Sequence, residues 1–107
     1  MDTIFALATA QGKAGVSIVR ISGSDAENAL NALSSPAVPV GRPSVRSLVG
    51  NDGTQIDEAM VLRFAKPHSF TCEDVVELHV HGSIAVVQAV LRELSAIENL
   101  RLSLIHI

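Results

Sequence analysis

The sequence predicts an α+β fold: one mixed β-sheet with helices packed on one of its faces. Short segments rich in Val and Ile are separated by connections that contain Gly and Pro, which is typical of strands. Two other stretches repeat apolar residues at the i, i+3, i+4, i+7 spacing of a helix. The chain has 107 residues, 48% of them hydrophobic and 18% charged, which suits a single buried core. We therefore expect one domain with the order β-β-α-β-β-β-α-β.

The first half of the chain predicts two strands and a helix. The strands are residues 3–8 and 16–22, separated by the glycine-containing segment TAQGKAG. A helix is expected to follow, because Ser24 and Glu27 have the spacing of a capping box. Its apolar stripe consists of Ala26, Ala29, Leu30 and Leu33. Several prolines come next and exclude a longer helix.

The second half predicts a hairpin, a central strand, a helix and a last strand. The hairpin joins residues 45–49 and 59–64 around the turn sequence GNDG and is expected to be irregular in its middle. Residues 75–80 form the most strongly apolar strand, and a new element starts directly after it, at HGS. A helical stripe then extends to residue 97, and residues 100–105 are the expected final strand.

Composition excludes several classes of protein. The net charge is −3 and the only aromatic residues are three Phe, so the chain lacks the basic stripe and stacking rings of an autonomous nucleic-acid binder. One cysteine, Cys72, excludes an intrachain disulfide. No segment has the length of a membrane span or the charge pattern of a signal peptide, so we expect a cytoplasmic protein without a membrane partner. The segment QGKAG lacks the glycine and hydroxyl positions of a P-loop.

The segment DVVELHVHGS places Glu77, His79 and His81 on one side of a strand. Carboxylate and imidazole groups suit zinc or iron. Alternate strand positions are about 6.5–7 Å apart, however, so the three side chains cannot reach one ion without a bend. We expect a polar sheet face and no metal.

Glu77 and Arg20 both interrupt apolar strands. A carboxylate in the middle of a core strand is costly unless it is paired or contacts a ligand. Three interpretations stay open at this point: an exposed face, a cross-strand pair of Arg20 with Glu77, or a ligand site.

Two long motifs resemble a known family. DTIFALATAQGKAGVSIVRISG and IDEAMVLRFAKPHSFTCEDVVELHVHGS, in this order, are similar to the N-terminal domain of the tRNA modification GTPases MnmE, also called TrmE. The similarity extends from Asp2 to about Arg101. It implies a domain over residues 1–102 and an atypical tail at 103–107, and a fold similar to the folate-binding domain of aminomethyltransferases.

The resemblance also implies a ligand and a partner. Domains of this family associate as homodimers and bind 5-formyl-tetrahydrofolate or a related tetrahydrofolate. By position, the implied folate contacts are Arg20 of the R-I-S-G motif and Glu77 of the E-D-x-x-E motif. Possible secondary contacts are Gly12, Gly15, His81 and Gly82. No catalytic residue is implied.

The family further implies a role in tRNA modification. Its full-length members work with MnmG (GidA) on the wobble uridine of tRNA, toward 5-carboxymethylaminomethyluridine. GTP, Mg²⁺ and K⁺ would belong to a G domain outside these 107 residues. The alternatives are a free-standing folate-dependent one-carbon transferase, a small metal-dependent hydrolase built on Glu77, His79 and His81, and a purely structural dimerisation domain in which Arg20 and Glu77 simply pair.

Overall fold

The computed structural model describes residues 3–8, 15–34, 41–64 and 74–102. Within these residues, strands and helices follow each other in the predicted order, which confirms the α+β fold class. The elements are β1 (Thr3–Leu7), β2 (Val16–Ser22), α1 (Ala26–Leu33), β3 (Ser44–Val49), β4 (Gln55–Phe64), β5 (Val75–His81), α2 (Ile84–Ser95) and β6 (Leu100–Leu102).

The strands form one sheet in the order β3-β4-β5-β2-β1-β6. All neighbouring pairs are antiparallel except β1 and β6, which are parallel, so the sheet is mixed as expected. β2 and β5 lie side by side in the centre and pair along their whole length, from Val16 opposite His81 to Ser22 opposite Val75. The two strands with out-of-place charged residues are therefore direct neighbours.

The two faces of the sheet differ. On β5, Val76, Leu78 and Val80 point to one side and are at most 1% exposed. They belong to the same hydrophobic core as the buried residues of both helices. We call this side the helix-covered face, and the side that carries Glu77 and His79 the opposite face.

The helices bury the predicted stripes. Ala26, Ala29, Leu30 and Leu33 of α1 are buried, and so are Val87, Val90 and Leu94 of α2. α2 begins after Ser83, whose hydroxyl accepts a hydrogen bond from the Val86 N–H at 3.2 Å. In the described part of the chain no helix is both long and apolar enough to cross a membrane.

The predicted capping box of α1 is wrong. The N-cap is Asp25, not Ser24, and its side chain makes no capping hydrogen bond. The Asp25 N–H instead donates to Thr3 Oγ1 at 2.8 Å, and Glu27 pairs with Arg63 Nη2 at 2.9 Å. The start of α1 is thus set by a contact with β1, which lies more than twenty residues away in the sequence.

Gly23 permits this contact. Its φ is +138°, a conformation that side chains rarely adopt, and a Cβ there would lie 2.6 Å from Thr3 Oγ1. Glycine is therefore required between β2 and α1 both for backbone conformation and for space.

The hairpin is longer than predicted. β4 begins at Gln55, four residues before the expected start at Ala59, because its polar first half pairs with β3. The pairing register shifts between Leu48 and Val49, so the expected irregularity is confirmed. At the other end of the chain, β6 covers only part of the predicted last strand, and residues 103–107 lie outside the described residues.

Candidate ligand site on the opposite face

Strand register arranges the opposite face in two adjacent rows across the sheet. Residues that are directly paired on neighbouring strands point to the same side. The first row is Ala6, Arg20, Glu77 and Leu62. The second row is Ile18, His79, Met60 and Val45. Arg20 and Glu77 consequently lie side by side in the middle of the sheet, with apolar residues at both ends of their row.

Arg20 and Glu77 form an ion pair across β2 and β5. The Arg20 Nε and Nη2 groups both donate to Glu77 Oε2, at 2.9 and 2.7 Å. Their side chains are 17% and 11% exposed, so the pair is mostly but not fully buried. Of the three interpretations left open above, the cross-strand pair is the one present in this structure. A hydrogen bond with an ionised partner is roughly twice as strong as a neutral one, so the pair offsets part of the cost of placing Glu77 in a core strand.

His79 contacts the other oxygen of the same carboxylate. Its Nε2 lies 3.2 Å from Glu77 Oε1. An ionised carboxylate can only accept hydrogen bonds, so Nε2 carries the proton in this contact. Glu77 is thus held at both oxygens, by Arg20 on one side and by His79 on the other.

His81 belongs to a separate cluster. Its Nδ1 lies 2.7 Å from Asp57 Oδ1, and its backbone N–H donates to Asp57 Oδ2 at 2.9 Å. The His81 side chain is 73% exposed and that of Asp57 only 11%. Glu77 and His79 therefore meet, while His81 pairs with β4. No group of three or more His, Cys, Asp or Glu among the described residues is arranged to hold a metal ion.

Three of the four secondary site residues, Gly15, His81 and Gly82, lie close together. The Gly82 N–H donates to the Gly15 carbonyl oxygen at 3.2 Å, next to the end of β5 that carries His81. Among the described residues, its chain neighbours aside, a Cβ at Gly15 would meet no atom within 4 Å, so packing against this part of the chain does not require glycine there. Gly12, like Cys72, lies outside the described residues.

A hollow of about 210 Å³ opens beside these groups. Its lining residues are Val16, Met60, His79, Val80 and His81. A larger hollow of about 540 Å³ lies between the β3–β4 turn and α2, and none of the predicted site residues lines it. Of these two hollows between described residues, the smaller one lies beside the predicted site.

Two contacts at and beside the predicted site were not expected from the sequence. The period-two pattern places His79 on the same side as Glu77, which is a usable signal, but no role for His79 followed from it. Asp57 carries no local signal at all, because its partner His81 is 24 residues further along the chain.

The fold and this face define a small α+β domain with an ion-paired polar centre on one side of a mixed sheet. A family model described as "GTP-binding protein TrmE N-terminus" matches residues 3–104. The chain belongs to this family.

Curated relatives carry the name "tRNA modification GTPase MnmE". The protein of Ruegeria pomeroyi is 52% identical over 103 residues, which cover 96% of this chain and 24% of that protein. The protein of Roseobacter denitrificans is 54% identical over 89% of this chain and 22% of its own length. For Ehrlichia chaffeensis the identity is 47%, over 91% of this chain and 22% of that protein. The chain spans about a quarter of the length of the curated relatives that it matches.

Proposed function

We propose that this chain is the folate-binding and dimerisation domain of a tRNA modification GTPase, and that Arg20 and Glu77 contact a 5-formyl-tetrahydrofolate-type ligand. The observation that carries the proposal is the Arg20–Glu77 pair, which is mostly buried yet keeps some exposure on both side chains. Polar groups at such positions are uncommon in a sheet centre unless they serve a ligand or a pair.

The chemistry of the pair suits a pterin. A carboxylate accepts hydrogen bonds from a ring edge that carries N–H groups, and a guanidinium offers planar donors to carbonyl or carboxylate oxygens. Both roles are those of binding and orientation, and neither needs a proton transfer. The hollow beside His79 combines apolar walls from Val16 and Met60 with a few polar groups, as small-molecule sites do.

The size of the hollow supports a site shared between two protomers. At about 210 Å³ it is smaller than the roughly 300–1,000 Å³ of most small-molecule sites. One protomer would then hold only part of the ligand, and a second would complete the site. In the same region Val16, Val45 and Met60 are 51%, 61% and 39% exposed on the opposite face. Exposed apolar patches of this kind mark interaction surfaces.

Calorimetry with 5-formyl-tetrahydrofolate tests the ligand. We expect the wild type to bind, and Glu77→Gln to weaken binding at least about tenfold, because a hydrogen bond to a charged group contributes about 1.5–3 kcal/mol. Glu27→Gln is the matched control: it disrupts the Arg63–Glu27 ion pair and is expected to bind like the wild type. Absence of binding by the wild type at millimolar ligand, or full binding by Glu77→Gln, would contradict the site.

Light scattering across a concentration series tests the dimer. We expect a wild-type dimer and a shift toward monomer for Met60→Lys, because the new charge would be buried in the interface. Ile84→Lys is the matched control, since Ile84 is an exposed apolar residue of α2 with 55% exposure. A wild type that stays monomeric at high concentration, or equal effects of both substitutions, would argue against this face as the interface.

In the full-length protein the proposal extends to tRNA. We propose that the intact protein is cytoplasmic, hydrolyses GTP with Mg²⁺ and K⁺ in a separate G domain, and works with MnmG (GidA) on the wobble uridine. Glu77→Gln in that protein should reduce modified uridine in total tRNA while GTP hydrolysis stays unchanged. An equal loss of both activities would indicate a structural role for the pair instead.

A further inference from the structure

The Glu77 carboxylate is held by different groups at its two oxygens. Arg20 donates two hydrogen bonds to Oε2, at 2.9 and 2.7 Å, and His79 Nε2 lies 3.2 Å from Oε1. Each carboxylate oxygen has about two lone-pair positions. Among the described residues, Arg20 therefore fills Oε2, whereas Oε1 keeps one acceptor position beside the His79 ring.

This arrangement fixes the plane of the carboxylate. The last torsion of a glutamate side chain is broad and roughly two-fold, so hydrogen bonds to Oε2 alone leave the plane of the carboxylate some freedom to tilt. A second donor at Oε1 removes this freedom. His79 also lines the 210 Å³ hollow, so it connects the carboxylate with the space next to it.

We propose that His79 is a positioning residue of the ligand site, an inference that rests on the folate-binding function proposed above. Its Nε2–H holds Glu77 Oε1 so that the remaining acceptor position meets an N–H donor of the ligand. The ligand chemistry that fits is a planar heterocycle with an N–H edge, such as a 2-amino-4-oxo pterin ring. Binding then begins from an already oriented carboxylate, which lowers its ordering cost.

A pair of amide substitutions separates this role from general packing. His79→Gln places a side-chain N–H₂ about as far from the backbone as Nε2, whereas the shorter His79→Asn places it near the position of Nδ1, out of reach of Oε1. We expect His79→Asn and His79→Ala to weaken binding of 5-formyl-tetrahydrofolate about tenfold, and His79→Gln to stay within about twofold of the wild type. Thermal unfolding of the Gln and Asn variants serves as the stability readout and should be alike.

The outcomes distinguish the inference from the function on which it rests. If the wild type binds and the Asn and Ala variants bind equally well, the role of His79 is overturned and the folate site stands. If the Gln variant binds as poorly as the Asn variant, an N–H donor at the position of His79 Nε2 does not support ligand binding. The positioning role of His79 is then overturned as well. If the wild type does not bind, both proposals fail.

A ligand-free measurement tests the geometry directly. Nitrogen-15 spectra of the neutral imidazole should show the Nε2–H tautomer for His79, because an ionised carboxylate can only accept a hydrogen bond. An Nδ1–H tautomer would overturn the inference even if the ligand binds.

Discussion

The two sides of β5 are held in place by different physical forces. Val76, Leu78 and Val80 are buried against both helices, and their contribution grows with the apolar area that they remove from water. Glu77 and His79, on the other side, make contacts between particular atoms at hydrogen-bond distance. The first side tolerates substitutions that keep the apolar volume. The second side depends on the direction of each hydrogen bond and on the identity of the donor and acceptor groups.

The difference separates stability from ligand recognition. Substitutions on the helix-covered face should lower the free energy of unfolding and leave the ligand contacts in place. Substitutions on the opposite face should affect binding more than stability. The following experiments test that separation, beginning with the largest expected effect on stability.

Truncation of a buried side chain on the helix-covered face should lower the free energy of unfolding the most. Leu78→Ala removes a fully buried side chain from the core, and we expect a loss of about 3–5 kcal/mol in unfolding free energy, measured by urea titration. At temperatures where the variant is folded, its affinity for 5-formyl-tetrahydrofolate should be close to that of the wild type. A large loss of affinity in the folded variant would show that the two faces are not independent.

Removal of the Glu77 carboxylate should cost somewhat less stability and abolish binding. Glu77→Ala eliminates the two hydrogen bonds that Arg20 donates to Oε2 and the contact with His79. We expect the free energy of unfolding, measured by the same urea titration, to fall by about 3 kcal/mol. The reason is that removing one partner of a mostly buried ion pair leaves the charge of the other partner uncompensated. A variant as stable as the wild type would mean that solvent replaces the lost contacts fully.

Two glycines provide a narrower comparison. Gly23→Ala should destabilise by about 2 kcal/mol, because the backbone has φ +138° and the new Cβ would collide with Thr3. Gly15→Ala should change stability by less than about 0.5 kcal/mol, since no atom of the described residues beyond its chain neighbours lies within 4 Å of the added methyl group. Thermal unfolding of both variants checks the contrast. Equal changes in stability for the two variants would mean that the backbone conformation and close packing of Gly23 do not contribute to stability.

The turn between β3 and β4 should show the smallest effect. Thr54 donates a hydrogen bond to the Asp52 carboxyl from its backbone N–H, which has the largest effect, and a second one from its side-chain hydroxyl. Both lower the pKa of this carboxyl below its ordinary value of 3.8. The resulting stabilisation is present above the ordinary pKa and is lost as the pH falls through the lowered value. Asp52→Asn should therefore be slightly less stable than the wild type at pH 7, and the difference should shrink as the pH falls below 3.8 and through the lowered pKa of Asp52. A difference that does not change with pH would exclude the charge as its cause.

Much of the fold was predictable because it depends on local patterns. The stripe of α1, the start of α2 after Ser83, and the bounds of β2 follow from periodicity and capping chemistry within a few residues. The capping box of α1 failed because Thr3, far away in the sequence, satisfies the helix start instead. The first residues of β4 were missed because their strand pairing with β3 outweighs a polar composition.

The sequence by itself determined which residues are unusual: a carboxylate and a guanidinium in apolar strands, and a histidine on the same side as the carboxylate. Only the tertiary structure decided that Arg20 lies opposite Glu77, that His79 takes the second oxygen, and that His81 pairs with Asp57 instead. The physical reason is strand register. A shift of one residue moves every side chain to the other face, and that register depends on the packing of the whole sheet.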